Sequence, residues 1–248
     1  MKKILLSCLS AIILFGFTRC SKSSDTTTPT NTIAVPDVYK KIYGATDMYV
    51  EGNFVVIKVT GRPDHKSPYY KTTEWENTLF INDTRPGFAQ NPNIIKTQNY
   101  TFKIPLNPAS AATKTTTSGG SIGVSINGVP FFNQYAAMNA PLTNEINSFD
   151  LYAGHPAQAG DYHYHVEPTY LTTLKGSSAL MGFLLDGFPV YGPVENGVTI
   201  TNAVLDAYHG HTSATADYPS GIYHYHITST DPYINGNQYY GTPGTVTK

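Results

Sequence analysis

The sequence predicts a mainly β fold: a single compact domain with an internal duplication of a β unit and few short helices. Three observations predict it. Charged residues make up only 13% of the 248, while tyrosine alone supplies 19, a balance that favours strands and turns over helical bundles. Apolar residues fall in short runs bounded by turn residues, and no segment sustains a helical apolar period. One motif is also written twice, "GDYHYH" at 160–165 and "GIYHYH" at 221–226.

The elements follow in order. Residues 1–20 read as a signal segment of lipoprotein type: Lys2 and Lys3 precede an apolar run, Ile4 to Phe17, too short to span a bilayer comfortably. Cys20 stands where a bacterial lipoprotein carries its lipidated cysteine, although Arg19 occupies a position usually held by a small residue. Plain secretion is the alternative. Residues 21–35, rich in Ser, Thr and Pro, form a flexible linker. The domain proper runs over 36–248, with an N-terminal β region at 36–120. There "MYVEGNFVVIKVTG" predicts a hairpin around Gly52-Asn53. "TLFIND" and "YTFKIPL" predict further strands, and 107–120 a polar loop. The first repeat covers 121–171, opening with two short strands around Asn127-Gly128. The second covers 180–248. The best helical candidate is "TNAVLDAYHG", with Thr201 or Asn202 as its cap.

The repeat has three matched parts. "INGVPFFNQY" at 126–135 is echoed by "LDGFPVYGPV" at 185–194, "FDLYAGH" at 149–155 by "LDAYHGH" at 205–211, and the first YHYH segment by the second. Their order is kept. The two halves are therefore expected to pack as a pseudo-symmetric pair.

In a strand, residues two apart share a face. His163 and His165 then project together, as do His224 and His226. Tyr162, Tyr164, Tyr223 and Tyr225 face the other way and are expected to be buried with their hydroxyls bonded. Each repeat also has an upstream Gly-His, giving His155 and His211. Two imidazoles from a strand and one from a neighbouring loop match the ligand supply of three-histidine zinc sites. A polar-aromatic packing face is the plain alternative, and the doubling of the whole arrangement weighs against it. The six histidines form either two clusters or one merged centre.

The ligands are nitrogen-rich, without thiolate, which suits zinc first, with Cu(II) possible. Asp150 and Asp206 recur in the repeat as candidate partners for imidazole N–H groups, or as caps of the Gly-His turns. His65 could complete a site from the N-terminal region. His209 has no histidine counterpart and reads as peripheral. Asp186, Asp206 and Glu167 are candidate bases should the metal serve hydrolysis. Gly154 and Gly210 suit a ligand on a tight loop. The only cysteines, Cys8 and Cys20, lie in the signal segment, so an exported domain must be held by its core, by metal, or by both.

The chain resembles the YHYH family, a group of mostly secreted bacterial proteins. The likeness extends through "GRPDH" at 61–65, "NPNII" at 91–95, "FKIPLNP" at 102–108, "GVSINGVPFFN" at 123–133, "DGFPVYGP" at 186–193 and "GIYHYHIT" at 221–228. The resemblance implies a secreted protein but no defined activity. Members often carry a cysteine just before the second "GH" and another near the C-terminus. Tyr208 stands near the first position here and no cysteine follows, which implies aromatic packing in place of a disulfide.

Three functions compete. The first is an exported cell-envelope protein, anchored to the membrane by lipid, that binds a divalent transition metal. The second is a metal-dependent hydrolase. The third is a module for surface glycans, polymers or small molecules that uses exposed tyrosines. A formal net charge of −1 offers no basic patch for nucleic acid. No His-Glu-x-x-His or phosphate-loop pattern occurs. Metal binding is favoured, and enzymatic activity is left open.

Overall fold

The N-terminal hairpin forms where the turn residues place it. Strands β1 (Ala45–Glu51) and β2 (Phe54–Val59) pair antiparallel, and Gly52 turns the chain at φ +58°. The computed structural model describes residues 33–77, 87–117 and 119–248. The signal segment, Cys20 and the expected "TLFIND" strand lie outside them. Strand β3 (Tyr100–Pro105) realises the "YTFKIPL" prediction and alternates buried with half-buried residues. It pairs with β2 on one side and with the C-terminal β14 (Thr245–Thr247) on the other. These four strands make one sheet, in the order β1-β2-β3-β14.

The repeats build the second sheet. The first contributes β4 (Gly123–Ser125), β5 (Pro130–Phe131), β6 (Gly154–Pro156) and β7 (Tyr162–Tyr164). The second contributes β8 (Leu180–Leu184), β9 (Pro189–Tyr191), β12 (Gly210–Ser213) and β13 (Ile222–His226). Between them, β10 (Val194–Glu195) and β11 (Val198–Thr199) form a small hairpin. The eight-stranded order is β12-β13-β9-β8-β4-β5-β7-β6. Read inward from either edge, it meets a Gly-His strand, a YHYH strand, the Pro-containing strand and then the central strand. The pairings match as well: antiparallel, parallel and antiparallel on each side, meeting at the antiparallel pair β4–β8.

Buried side chains of both sheets form one contiguous core, including Val55, Ile57, Phe102 and Ile104 from the first and Val124, Phe131, Phe183 and Val190 from the second. The helical expectation needs correction. "TNAVLDAYHG" forms only a 3-10 turn at Asn202–Val204. The Asp206 carboxylate then accepts from the backbone N–H of Tyr208 and of Gly210, which closes a turn and diverts the chain from a helix. Among the described residues the α-helix is α1 (Thr169–Lys175), which follows Pro168, ends at Gly176 with φ +97°, and buries Leu171 and Thr172.

Candidate metal centres

Strand pairing assembles the first cluster. In the β6–β7 register, His155 lies directly opposite His163, so both point to the same face. His165, two residues beyond His163, joins them. The Nε2 atoms of His155 and His163 are 3.0 Å apart, and those of His163 and His165 2.9 Å. The Nδ1 atoms face outward onto acceptors. His163 Nδ1 donates to the carbonyl of Asp161 at 2.9 Å, and His165 Nδ1 to that of Asn133 at 2.5 Å. His155 Nδ1 lies 2.6 Å from Ser148 Oγ. That hydroxyl donates to the Glu145 carbonyl, so it accepts from the imidazole. The Asn91 amide nitrogen lies 3.4 Å from the same ring nitrogen, a longer contact, and donates to the Pro156 carbonyl at 3.2 Å. All three imidazoles therefore carry hydrogen on Nδ1 and aim Nε2 lone pairs at one point.

The second cluster repeats this. His211 lies opposite His224 in the β12–β13 register. The Nε2 atoms of His211 and His224 are 3.2 Å apart, and those of His224 and His226 3.1 Å. His224 Nδ1 donates to Ile222, two residues back as in the first copy, and His226 Nδ1 to Gly192, the repeat counterpart of Asn133. Four strands separate the two YHYH strands in the sheet. At about 4.8 Å per step that is roughly 24 Å, so the six histidines form two centres and do not merge.

A glutamate completes each. Glu145 Oε1 lies 3.1 Å from His155 Nε2. Glu195 Oε2 lies 3.3 Å from His211 Nε2, and its Oε1 3.5 Å from His224 Nε2. Each centre thus gathers three histidines and one glutamate with ligand atoms within 4.8 Å of one another. The sequence reading missed both glutamates, because they sit at different distances from the aligned motifs. A signal existed: each connection from the Pro-containing strand to the Gly-His strand holds one Asp, which aligns, and one Glu, which does not.

Two buried clusters of this composition could hold a metal ion. Zinc–nitrogen bonds of about 2.0–2.1 Å in a tetrahedron put the nitrogens roughly 3.3 Å apart, close to the separations found. Burial holds the His163 imidazole well below its ordinary pKa of 6.5, helped by repulsion from His155 and His165. It brings His165 and His226 down to about 4 and lowers His224 as well. Protonated His155 would donate to the Glu145 carboxyl and hold it below its usual range, against burial. Burial pushes Glu195 up, and the Ser213 hydroxyl together with the nearby imidazoles outweighs it, leaving the carboxyl lowered. Neutral imidazole beside carboxylate is the metal-ready state.

The other candidates lie elsewhere. Asp150 bonds no imidazole. It accepts from the Tyr162 hydroxyl at 2.8 Å, from Ser67 at 2.6 Å and from the backbone of Tyr152 at 2.9 Å. Asp206 likewise accepts from Tyr223 at 2.9 Å while capping its turn. Carbonyls, together with Ser148, take the role considered for these aspartates. Asp186 is fully buried, holds Tyr225 at 2.7 Å, and has its pKa pushed up to about 6 by burial. Glu167 accepts from Thr172 on α1. None of these carboxylates belongs to either three-histidine cluster. His65 packs among Tyr152, Tyr162 and Tyr170 on the tyrosine side. His209 bonds Thr228 at 3.0 Å, outside the second centre.

The four YHYH tyrosines are buried, as expected. Gly154 and Gly210 answer to them. A Cβ at Gly154 would meet the Tyr162 ring at 2.4 Å, and one at Gly210 the Tyr223 hydroxyl at 2.4 Å. Close ring approach, more than loop flexibility, requires glycine here. Tyr208 packs against Tyr240, which stacks on Tyr223 at 3.6 Å, the aromatic packing expected at this position.

Searches of curated proteins and of solved structures returned no match. A model of the YHYH protein family matches residues 101–200 and 194–241, covering both clusters. The chain belongs to the YHYH family.

Proposed function

We propose that this chain is an exported cell-envelope protein that binds two divalent transition-metal ions, zinc foremost and Cu(II) second, one in each centre. One observation carries the reading: Nε2 lone pairs and a carboxylate converge in each centre, and the opposite ring nitrogens of His155, His163, His165, His224 and His226 already donate to carbonyls or a hydroxyl. Such a set repels itself unless a cation lies among its members. A shared proton is a poor cation at neutral pH, because burial disfavours imidazolium. The three-nitrogen, one-oxygen donor set suits zinc.

Export and lipid attachment rest on Lys2, Lys3, the apolar run to Phe17, and Cys20. No helix among the described residues is long and apolar enough to cross a membrane. A glycan-binding role loses support from the burial of the four YHYH tyrosines. Elemental analysis of the chain purified at neutral pH without added metal tests the proposal. Two equivalents of zinc or copper per chain are expected, and a metal-free chain that takes up neither would end it. Fractionation of cells carrying Cys20→Ala tests the anchor: the variant should leave the membrane fraction.

A further inference from the structure

The two centres share their ligands but not their surroundings. Phe132 lies flat on His163, with ring centroids 3.9 Å apart and 17° between planes, and meets His165 edge-on. Phe149 packs against His155 at 4.8 Å and stacks on His165 at 5.9 Å. The first centre is thus walled by two phenyl rings. In the second repeat the counterparts are Tyr191 and Leu205. Tyr191 meets His224 only edge-on at 5.2 Å, and its hydroxyl is drawn away to Thr215 and Asp217. No ring covers that imidazole as Phe132 covers His163.

Where the phenyl wall is missing, a cleft of about 580 Å³ opens, and His224, His226 and Glu195 line it. Its other walls include Tyr191, Val194, Ala214, Ala216 and Pro219, with polar edges at Ser178, Asn196 and Thr215. Among the described residues lining it there is no lysine or arginine. His211 lies outside that lining; its side chain is 25% exposed against 3% for His155, while Glu195 is 17% exposed against 28% for Glu145. Glu195 stands on the cleft side, and its Oε1 is also held by the Ser213 hydroxyl, which gives the carboxylate a partner besides the metal.

We infer that the two centres have different duties: the first is a closed structural site, and the second keeps a coordination position facing this cleft for a small uncharged nitrogen- or oxygen-donor ligand with an apolar body. The inference rests on the metal-binding reading. Closed four-ligand sites are structural, whereas an accessible zinc site can expand from four ligands to five. A cleft of this volume admits a small molecule. Among the described residues no lysine or arginine lines the cleft to hold the further negative charge of an anion beyond the metal itself.

The test loads the purified chain with Co(II) and follows its visible absorption during titration with 1-methylimidazole, and separately with inorganic phosphate. Two cobalt ions per chain, a spectral change saturating at one 1-methylimidazole per chain, and no change with phosphate are expected. Ala214→Trp, at an exposed position on the cleft wall, should abolish the response while two cobalt ions remain bound. Phe132→Ala should raise the stoichiometry to two. Absence of cobalt uptake would overturn both readings. Two bound cobalt ions with no response, with two probe molecules bound to the unaltered chain, with a response surviving Ala214→Trp, or with phosphate binding equally well would overturn this inference alone.

Discussion

His155 lies directly across the β6–β7 ladder from His163, and their Nε2 atoms are 3.0 Å apart. A slip of one residue would turn the whole histidine set to the tyrosine side. Register therefore assembles each centre from its own repeat, and the two should fail independently. His163→Ala should leave one metal ion per chain, the one held by His224. His224→Ala together with His226→Ala should leave only the other. His209→Ala should leave both. Elemental analysis of the three variants decides, and equal metal content in all of them would mean that the motif is a packing device.

Acid should destabilise the metal-free chain. The folded pKa values of His165 and His226 lie near 4, below the ordinary 6.5. As pH falls below 6.5 the unfolded chain takes up protons that the folded chain refuses, so stability is lost between about 6.5 and 4. Each such histidine costs on the order of 3 kcal/mol across that window. Denaturant titrations of the chelator-treated chain at pH 7, 5.5 and 4.5 should show a falling midpoint. Bound metal should postpone the fall, since the imidazoles must protonate to release it.

Ser148 accepts from His155 Nδ1 while its own hydroxyl donates to the Glu145 carbonyl. It thus links two ligands of the first centre. Ser148→Ala should weaken metal binding there by about 10- to 100-fold and leave the second centre unaffected. Competition with a chromophoric chelator would resolve the two affinities, and parallel weakening of both would refute the assignment.

The tyrosine side should show up in stability and not in metal content. Tyr162→Phe leaves the buried Asp150 carboxylate short of a donor and should cost roughly 1–3 kcal/mol. Gly154→Ala forces a Cβ into the Tyr162 ring and should cost a similar amount or more, about 1–3 kcal/mol for overpacking. Shifts in denaturant midpoint measure both, and metal bound per folded chain should stay at the wild-type value.

Much of this molecule is local, and local features can be read from the sequence. Alternation with a period of two placed His163, His165, His224 and His226 on one side and their tyrosine neighbours on the other. Gly52-Asn53 and Gly128 marked turns that the chain makes. The Gly-His pairs named the third imidazoles because one recurs upstream of each YHYH segment. Tertiary structure decided what depends on the path of the chain through space. The β4–β8 pairing at the middle of the sheet keeps the centres apart, since it places four strands between the YHYH strands. Glu145 reaches its cluster from a 3-10 turn and Glu195 from the end of β10, so no common spacing reveals them. The outward imidazole nitrogens found carbonyls of Asp161, Asn133, Ile222 and Gly192, acceptors that every residue type carries and that no sequence pattern can single out. The aspartates matched between the repeats were therefore left to hold tyrosine hydroxyls and turn N–H groups on the opposite face. Phe132 and Tyr191 also show the limit: they occupy matching positions in the repeats, and only the fold decides that Phe132 stacks on His163 while Tyr191 meets His224 edge-on.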